Sequence, residues 1–283
     1  MAVLLLLLLF LPQISTAAES SLAIVQAGVQ QSEDAPFVPS DYRFLPGDYL
    51  YFTFQVAGFA AKSENQESAR KISLKYEATL QDIAGIALSE PASGAIEAEL
   101  NPEDKDWIPK RRSSFLIPSF VAAGDFHVHL VIKDLFANTE TSKDFPFHIG
   151  GEHIQASTGV TLENFSFLRS ENDREALQVP AYSPGDTVYA RFDMVGYRIG
   201  ANNEYHLAYG LVVLGPTGKP YIQEPKAAEL DASTFYPAQF VPGTLNLTTS
   251  SSAARGEYVV VLTVRDLIGK QSFEIKRAFT IEP

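Results

Sequence analysis

A long stretch of this chain is written twice. Pro46-Gly47-Asp48-Tyr49-Leu50-Tyr51-Phe52-Thr53-Phe54-Gln55-Val56-Ala57-Gly58-Phe59 returns as Pro184-Gly185-Asp186-Thr187-Val188-Tyr189-Ala190-Arg191-Phe192-Asp193-Met194-Val195-Gly196-Tyr197. Self-similarity of this kind restricts the chain to two copies of one folding unit before any propensity is weighed. Further blocks repeat in step: Leu74 with Leu207, and Gly124 with Gly256. The spacing between equivalents shrinks along the chain because the Ser-, Glu- and Asn-rich stretch 60–70 is longer than its counterpart after Tyr197. A surface loop tolerates that change in length.

Each repeated block alternates. Leu50, Phe52, Phe54 and Val56 share one face, as do Val188, Ala190, Phe192 and Met194. Ile72, Leu74, Tyr76 and Ala78 correspond to Tyr205, Leu207, Tyr209 and Leu211, and Phe126, Val128, Leu130 and Ile132 to Tyr258, Val260, Leu262 and Val264. Period two in β-branched and aromatic residues predicts strands with one buried face. Because parity agrees between the copies, each copy checks the register of the other. Pro46-Gly47-Asp48 and Pro184-Gly185-Asp186 read as turns that open a strand, and Asp266 to Lys270 as the turn of the last hairpin. Helical periodicity nowhere exceeds a turn or two, and the Ala-rich stretches 80–88 and 92–100 are expected as strand or loop. Some seven short strands per copy predict a β-sandwich.

The closing pattern Gly256-Glu257-Tyr258-Val259-Val260-Val261-Leu262-Thr263-Val264-Arg265-Asp266, followed by Gly269-Lys270 and Phe279-Thr280-Ile281, resembles the last two strands of immunoglobulin-like or fibronectin-III-like modules of bacterial exported proteins. Gly124-Asp125-Phe126, Lys133-Asp134 and Phe147-His148-Ile149 carry the same resemblance in the first copy. It covers about the last quarter of each copy, without the Cys–Trp–Cys set of antibody domains. It implies spacer, adhesion or accessory modules, among which fold alone does not choose.

The domains expected are therefore a signal peptide at 1–18, a β-sandwich at 19–150, a linker at 151–159 and a second β-sandwich at 160–283, an all-β, tandem immunoglobulin-like arrangement. The signal reading rests on the apolar run Met1–Leu11 followed by Ser15-Thr16-Ala17-Ala18, a stretch too short to span a bilayer. It places the protein outside the cytoplasm, secreted or periplasmic, with no membrane span. With no Cys in the 283 residues, disulfides, thiolate metal sites, Cys nucleophiles and a lipidated cleavage site are excluded. A net charge of −12 disfavours nucleic acid and anionic membranes as partners. The paired Gly150-Gly151 suggests a bend, after which the sandwiches either stack end to end or move independently.

Several side chains are candidates for chemistry. His127 and His129 stand two apart on one strand, so both face outward. With His148 on the next strand they would form an open zinc site if His129 paired with His148. The second copy, with Val264 opposite Phe273, instead predicts that His129 faces Asp144 and that His148 lies about 13 Å away at strand rise. Surface imidazoles on an exposed sheet are the plainer reading. Ser32-Glu33-Asp34 and Ser170-Glu171-Asn172-Asp173 read as solvated acidic loops, with calcium as the alternative. Tyr49, Tyr51 and Tyr189 lie on outer faces, where they serve cross-strand packing or stack on sugar rings. Trp107 adjoins Lys110-Arg111-Arg112, the basic cluster of an acidic chain, which reads as a solvated loop, with a site for an anionic partner or for protease cleavage as the alternatives. Gly215-Pro216-Thr217-Gly218-Lys219 lacks the spacing of a phosphate loop. The sequons at Asn164 and Asn246 are expected to stay unglycosylated in a bacterial-type module.

The expected function is an exported, non-catalytic binding or spacer protein with no cofactor, whose partner is another protein or a surface glycan. The alternatives are a carbohydrate-binding protein using exposed Tyr and a metal-dependent hydrolase at His127 and His129.

Overall fold

The computed structural model describes residues 21–63, 69–104, 106–173 and 175–282. The expected signal peptide lies outside them. Alternation produces strands throughout. The first copy folds as β1 (Ala23–Gln30), β2 (Arg43–Phe44), β3 (Tyr49–Ala57), β4 (Arg70–Asp82), β5 (Ala92–Leu100), β6 (Lys110–Leu116), β7 (Gly124–Asp134) and β8 (Thr139–Ile149). The second folds as β9 (Thr161–Leu168), β10 (Ala181–Tyr182), β11 (Thr187–Val195), β12 (Glu204–Leu214), β13 (Pro220–Ser233), β14 (Val241–Thr248), β15 (Gly256–Asp266) and β16 (Gln271–Ile281). Helix among the described residues is one short 3₁₀ turn at Ala201–Asn203. The Ala-rich stretches resolve into the end of β4, a turn, and β5.

Each copy is a sandwich of a three-stranded and a five-stranded sheet. The orders are β1-β3-β6 over β2-β8-β7-β4-β5, and β9-β11-β14 over β10-β16-β15-β12-β13. The eighth strand of each copy, beyond the seven or so expected, is the two-residue β2 or β10, which pairs in parallel with the last strand. Such short segments carry no periodicity to read. Register repeats as well: Leu74 faces Asp134 and Leu207 faces Asp266, while Gln30 faces Tyr51 and Leu168 faces Tyr189.

The apolar faces meet between the sheets. Leu50, Phe52, Phe54, Leu74, Leu80, Val128 and Leu130 are wholly buried in the first core, and Phe192, Met194, Leu207, Val260, Leu262 and Val264 in the second. Where the copies differ, the core adapts. Phe145 packs on Phe52 at 5.2 Å, whereas its equivalent Arg277 lays its guanidinium 5.6 Å from the Phe165 ring. The Pro-Gly-Asp turns match in detail. Gly47 and Gly185 take φ of +88° and +94°, as the third position of a type II turn requires. Asp48 and Asp186 each accept from the backbone N–H three residues back, at 2.8 Å.

One buried charge is repeated. Asp134 and Asp266 end β7 and β15 at inward parity and are essentially inaccessible to solvent. Asp134 accepts from the backbone N–H of Phe136 (2.8 Å), Ala137 (3.0 Å) and Ala60 (2.5 Å). Asp266 accepts from Gly269 (2.8 Å) and Arg198 (2.9 Å). Each carboxylate thus fixes its own hairpin turn and ties it to the loop after β3 or β11. Removing it leaves buried donors unpaired, at about 1–3 kcal/mol each. Asp266→Ala is therefore expected to lower the urea midpoint by the equivalent of about 3 kcal/mol, and Asp266→Asn by less.

Candidate functional site

The outer face of the first five-stranded sheet carries the histidines. His129 pairs with Asp144 across β7–β8, the register predicted from the second copy, and His127 with Pro146. His129 Nδ1 lies 2.6 Å from Asp144 Oδ1, and His127 Nε2 lies 3.2 Å from Gln81 Oε1 and 4.0 Å from the same Asp144 oxygen. His148 is engaged elsewhere, its Nδ1 2.7 Å from Asp125 Oδ1. The structure therefore brings His127 and His129 together around Asp144 and keeps His148 apart. No group of three or more His, Asp or Glu among the described residues is arranged to hold a metal ion. Solvent-exposed pairs of this kind contribute at most about 1 kcal/mol. Asp144→Asn and His129→Ala are each expected to move the urea midpoint by less than about 1 kcal/mol. A melting temperature raised by zinc in the unaltered chain and not in His129→Ala would instead establish the metal-centre alternative.

The tyrosines divide. Tyr49 is exposed beside Leu116, its partner across β3–β6, while Tyr51 and Tyr189 are half-buried. The acidic stretch Ser32–Asp34 belongs to a strap over the β1-β3-β6 sheet. Arg112 holds Glu33 at 2.8 Å and Asp34 at 3.4 Å, so a cation of the chain already faces these carboxylates. In the second copy Asp173 folds back on Ser170 N–H at 2.8 Å. Trp107 packs edge-on against Phe59 at 6.2 Å, while Lys110, Arg111 and Arg112 are not a loop but the start of β6, paired with Gln55, Phe54 and Thr53; the Gly215–Lys219 segment is a tight turn between β12 and β13.

A second polar cluster lies on the outer face of β9-β11-β14. Asp193 is only 8% exposed, and Asn164 Nδ2 donates to it at 2.8 Å. Burial raises its carboxyl pKa, an effect that hydrogen bonding from Asn164 partly offsets and nearby Glu152 reinforces. A folded-state pKa above the unfolded value adds stability below the unfolded value, about 3.9, and loses it as pH rises through the folded one. Asp193 is thus a cost at neutral pH. Asp193→Asn should raise the melting temperature at pH 7, with the gain fading once both states are protonated below about pH 4.

A further polar and aromatic cluster joins the two copies. The β13–β14 connection sends Tyr236, 4% exposed, into the hydrophobic core of the first sandwich. Its hydroxyl donates to Asp82 Oδ2 at 3.1 Å and accepts from Gln239 Nε2 at 3.1 Å. Gln239 also receives Ala122 N–H on Oε1 at 2.6 Å and donates its backbone N–H to Phe120 O at 3.2 Å. Burial and the Asp82 carboxylate push the Tyr236 hydroxyl pKa well above its usual range. In return Phe120 packs against the second core, its ring 6.2 Å from Phe240. The connection is itself pinned, since Tyr197 donates to Ala238 O and Asn203 to Phe235 O. The two sandwiches are thus in direct contact through these groups. Tyr236, Gln239, Asp82 and Phe120 carry no signal in the sequence; Tyr197 figures there only as the end of the repeated block.

The fold places the chain among tandem immunoglobulin-like β-sandwich proteins. No family model matches the chain, and no curated protein matches it in sequence. Solved structures similar to it include the C-terminal domain of the Streptococcus pyogenes antigen I/II-family protein AspA, at 12% identity and a TM-score of 0.28, covering 91% of this chain and 100% of that one. The Streptococcus agalactiae AgI/II polypeptide BspA C-terminal domain has 10% identity and a TM-score of 0.29, covering 90% and 100%. Dimeric latent PorU from Porphyromonas gingivalis has 14% identity and a TM-score of 0.26, covering 96% of this chain and 21% of PorU. At such values the fold of this chain rests on its own strand register.

Proposed function

We propose that the protein is an exported, non-catalytic strut: a signal peptide at 1–18, then two sandwiches at 19–150 and 160–283 that hold a binding surface at a fixed distance and angle. The observation that carries this reading is the reciprocal anchoring of Tyr236 and Phe120. Two beads on a free linker bury no aromatic in each other's cores. Here one aromatic crosses in each direction, and at least three hydrogen bonds accompany them. Burial of a large aromatic contributes several kcal/mol, enough to hold one relative orientation. Stiffness of this kind serves a spacer or adhesion module, whereas catalysis asks for an activated nucleophile, an acid–base pair or a metal directed at a cavity. The acidic surface suits a soluble module facing protein or glycan partners.

Small-angle scattering tests the reading. The unaltered chain should give a single elongated envelope that is independent of salt. Tyr236→Ala removes the anchor at a cost of about 3–5 kcal/mol, and should broaden the distance distribution while each sandwich keeps its β-sheet circular dichroism. Phe120→Ala is the gentler second variant and should have the same effect in smaller degree. Equal envelopes for all three proteins would remove the strut reading.

A further inference from the structure

The outer face of the β1-β3-β6 sheet carries a cavity of about 210 Å³ that neither the interdomain contact nor the histidine strip uses. Register builds it. Gln26 pairs with Gln55 and Gln55 with Lys110, so three long polar side chains stand in one row across the sheet. A bulge in β1 between Ile24 and Gln26 adjoins this row, and bulges recur where a side chain is re-aimed at a site. In the next row Gly28 has no Cβ, and the Phe37 ring lies on it: a Cβ there would be 2.8 Å from Phe37 Cγ. Phe37 belongs to the strap that Arg112 holds through Glu33 and Asp34, and that Val38 closes onto Val29 O at 2.9 Å. The floor is the buried pair Thr53 and Gln30, hydrogen-bonded at 2.5 Å, with Gln30 Nε2 donating to Ala35 O. Floor and wall are therefore fixed before any ligand arrives.

The groups that border the opening are unspent. The side-chain amides of Gln26 and Gln55 and the ammonium of Lys110 have no side-chain partner among the described residues. An amide offers both donors and an acceptor, the complement of neighbouring hydroxyls. In a chain of net charge −12, an unpaired lysine beside two free amides favours an anion. The equivalent place in the second sandwich has the opposite character. Its cavity of about 400 Å³ is lined by two carboxylates, Asp193 and Glu152, against one cation, Arg191; the Asn164 amide is committed to Asp193, and Pro242 stands where the first copy has Lys110.

We propose that the first cavity binds the ring of an acidic sugar, of the hexuronate or sialate class. Its carboxylate would sit on Lys110, its hydroxyls on Gln26 and Gln55, and its C–H face against Phe37. Specificity then comes from a few placed polar groups and one aromatic wall. The site is independent of the strut reading, which is tested by shape rather than by ligand.

Saturation-transfer-difference NMR on the full chain tests this with D-glucuronate, D-galacturonate and N-acetylneuraminate as probes and neutral D-galactose as comparison. At least one acid is expected to bind, and more tightly than galactose. Lys110→Gln, on an exposed side chain, should weaken binding about tenfold, the worth of one charge-assisted contact. Phe37→Ala should remove it, and Asp193→Asn in the second cavity should leave it unchanged. Absence of binding by all three acids, equal binding of galactose, or full binding by Lys110→Gln would each overturn the proposal.

Discussion

Removal of one apolar face per sheet from water is the constraint from which the rest of this structure follows. It requires two sheets per copy, and it fixes parity, because a slip of one residue would carry every Phe, Leu and Val of a strand into solvent. Parity in turn decides which residues stand outside. His127 and His129, the tyrosines and the row Gln26–Gln55–Lys110 are all outward because their neighbours are inward. The exceptions to the rule identify special positions. Asp134 and Asp266 occupy inward places at strand ends, and they are tolerated there because several backbone N–H groups converge on each carboxylate.

The two copies share a core and diverge at their ends and edges. Asp82 and Phe120, which receive the second sandwich, correspond to Gly215 and Ser252 in that sandwich, so the receiving surface is not repeated at its far end. The edges differ too. β5 pairs regularly with β4 along its whole length. Its counterpart β13 has Pro225 mid-strand, a register shift opposite Gly210, and the charges Glu224, Lys226, Glu229 and Asp231. A Cβ at Gly210 would lie 2.2 Å from Pro225 O, so the glycine is what lets the bulged strand approach. Proline, a bulge and charges are devices that stop an edge from recruiting another strand. The second sandwich is thus docked at its end through Tyr236 and interrupted along its outer strand. In the first, β5 is regular and carries the charges Glu97 and Glu99 on its outer side.

Much of this was legible in the sequence, for a physical reason. Strand period is local, and the second copy supplied the register that one copy alone leaves open. That is how the pairing of His129 with Asp144, rather than with His148, followed from Val264 and Phe273. The short strands β2 and β10 were not legible, since two residues carry no period. Nor was the interdomain contact. Tyr236 and Asp82 are 154 positions apart, and Thr234-Phe235-Tyr236-Pro237 has the composition of any turn. The buried aspartates did leave a signal, a charge continuing the inward series Phe126, Val128, Leu130, Ile132, but it becomes meaningful only when the donors around it are seen.

The outer three-stranded faces show how duplication separates scaffold from chemistry. Both carry a bulge in the first strand and a cavity beside it, because the backbone that makes them is shared. The side chains set into that backbone differ in charge. Gln55 in one copy is Asp193 in the other, and Lys110 is Pro242. Asp193 is costly where it stands, since burial disfavours its charged form and the Asn164 hydrogen bond and the nearby Arg191 charge offset this only in part. The Asn164 amide and the Asp193 carboxylate of the second pocket are thus engaged with each other, while the first leaves an ammonium and two amides directed at solvent. A buried carboxylate already engaged by Asn164 has less to offer a ligand, whereas an open row of donors and acceptors with an aromatic wall can hold one without disturbing the core beneath it.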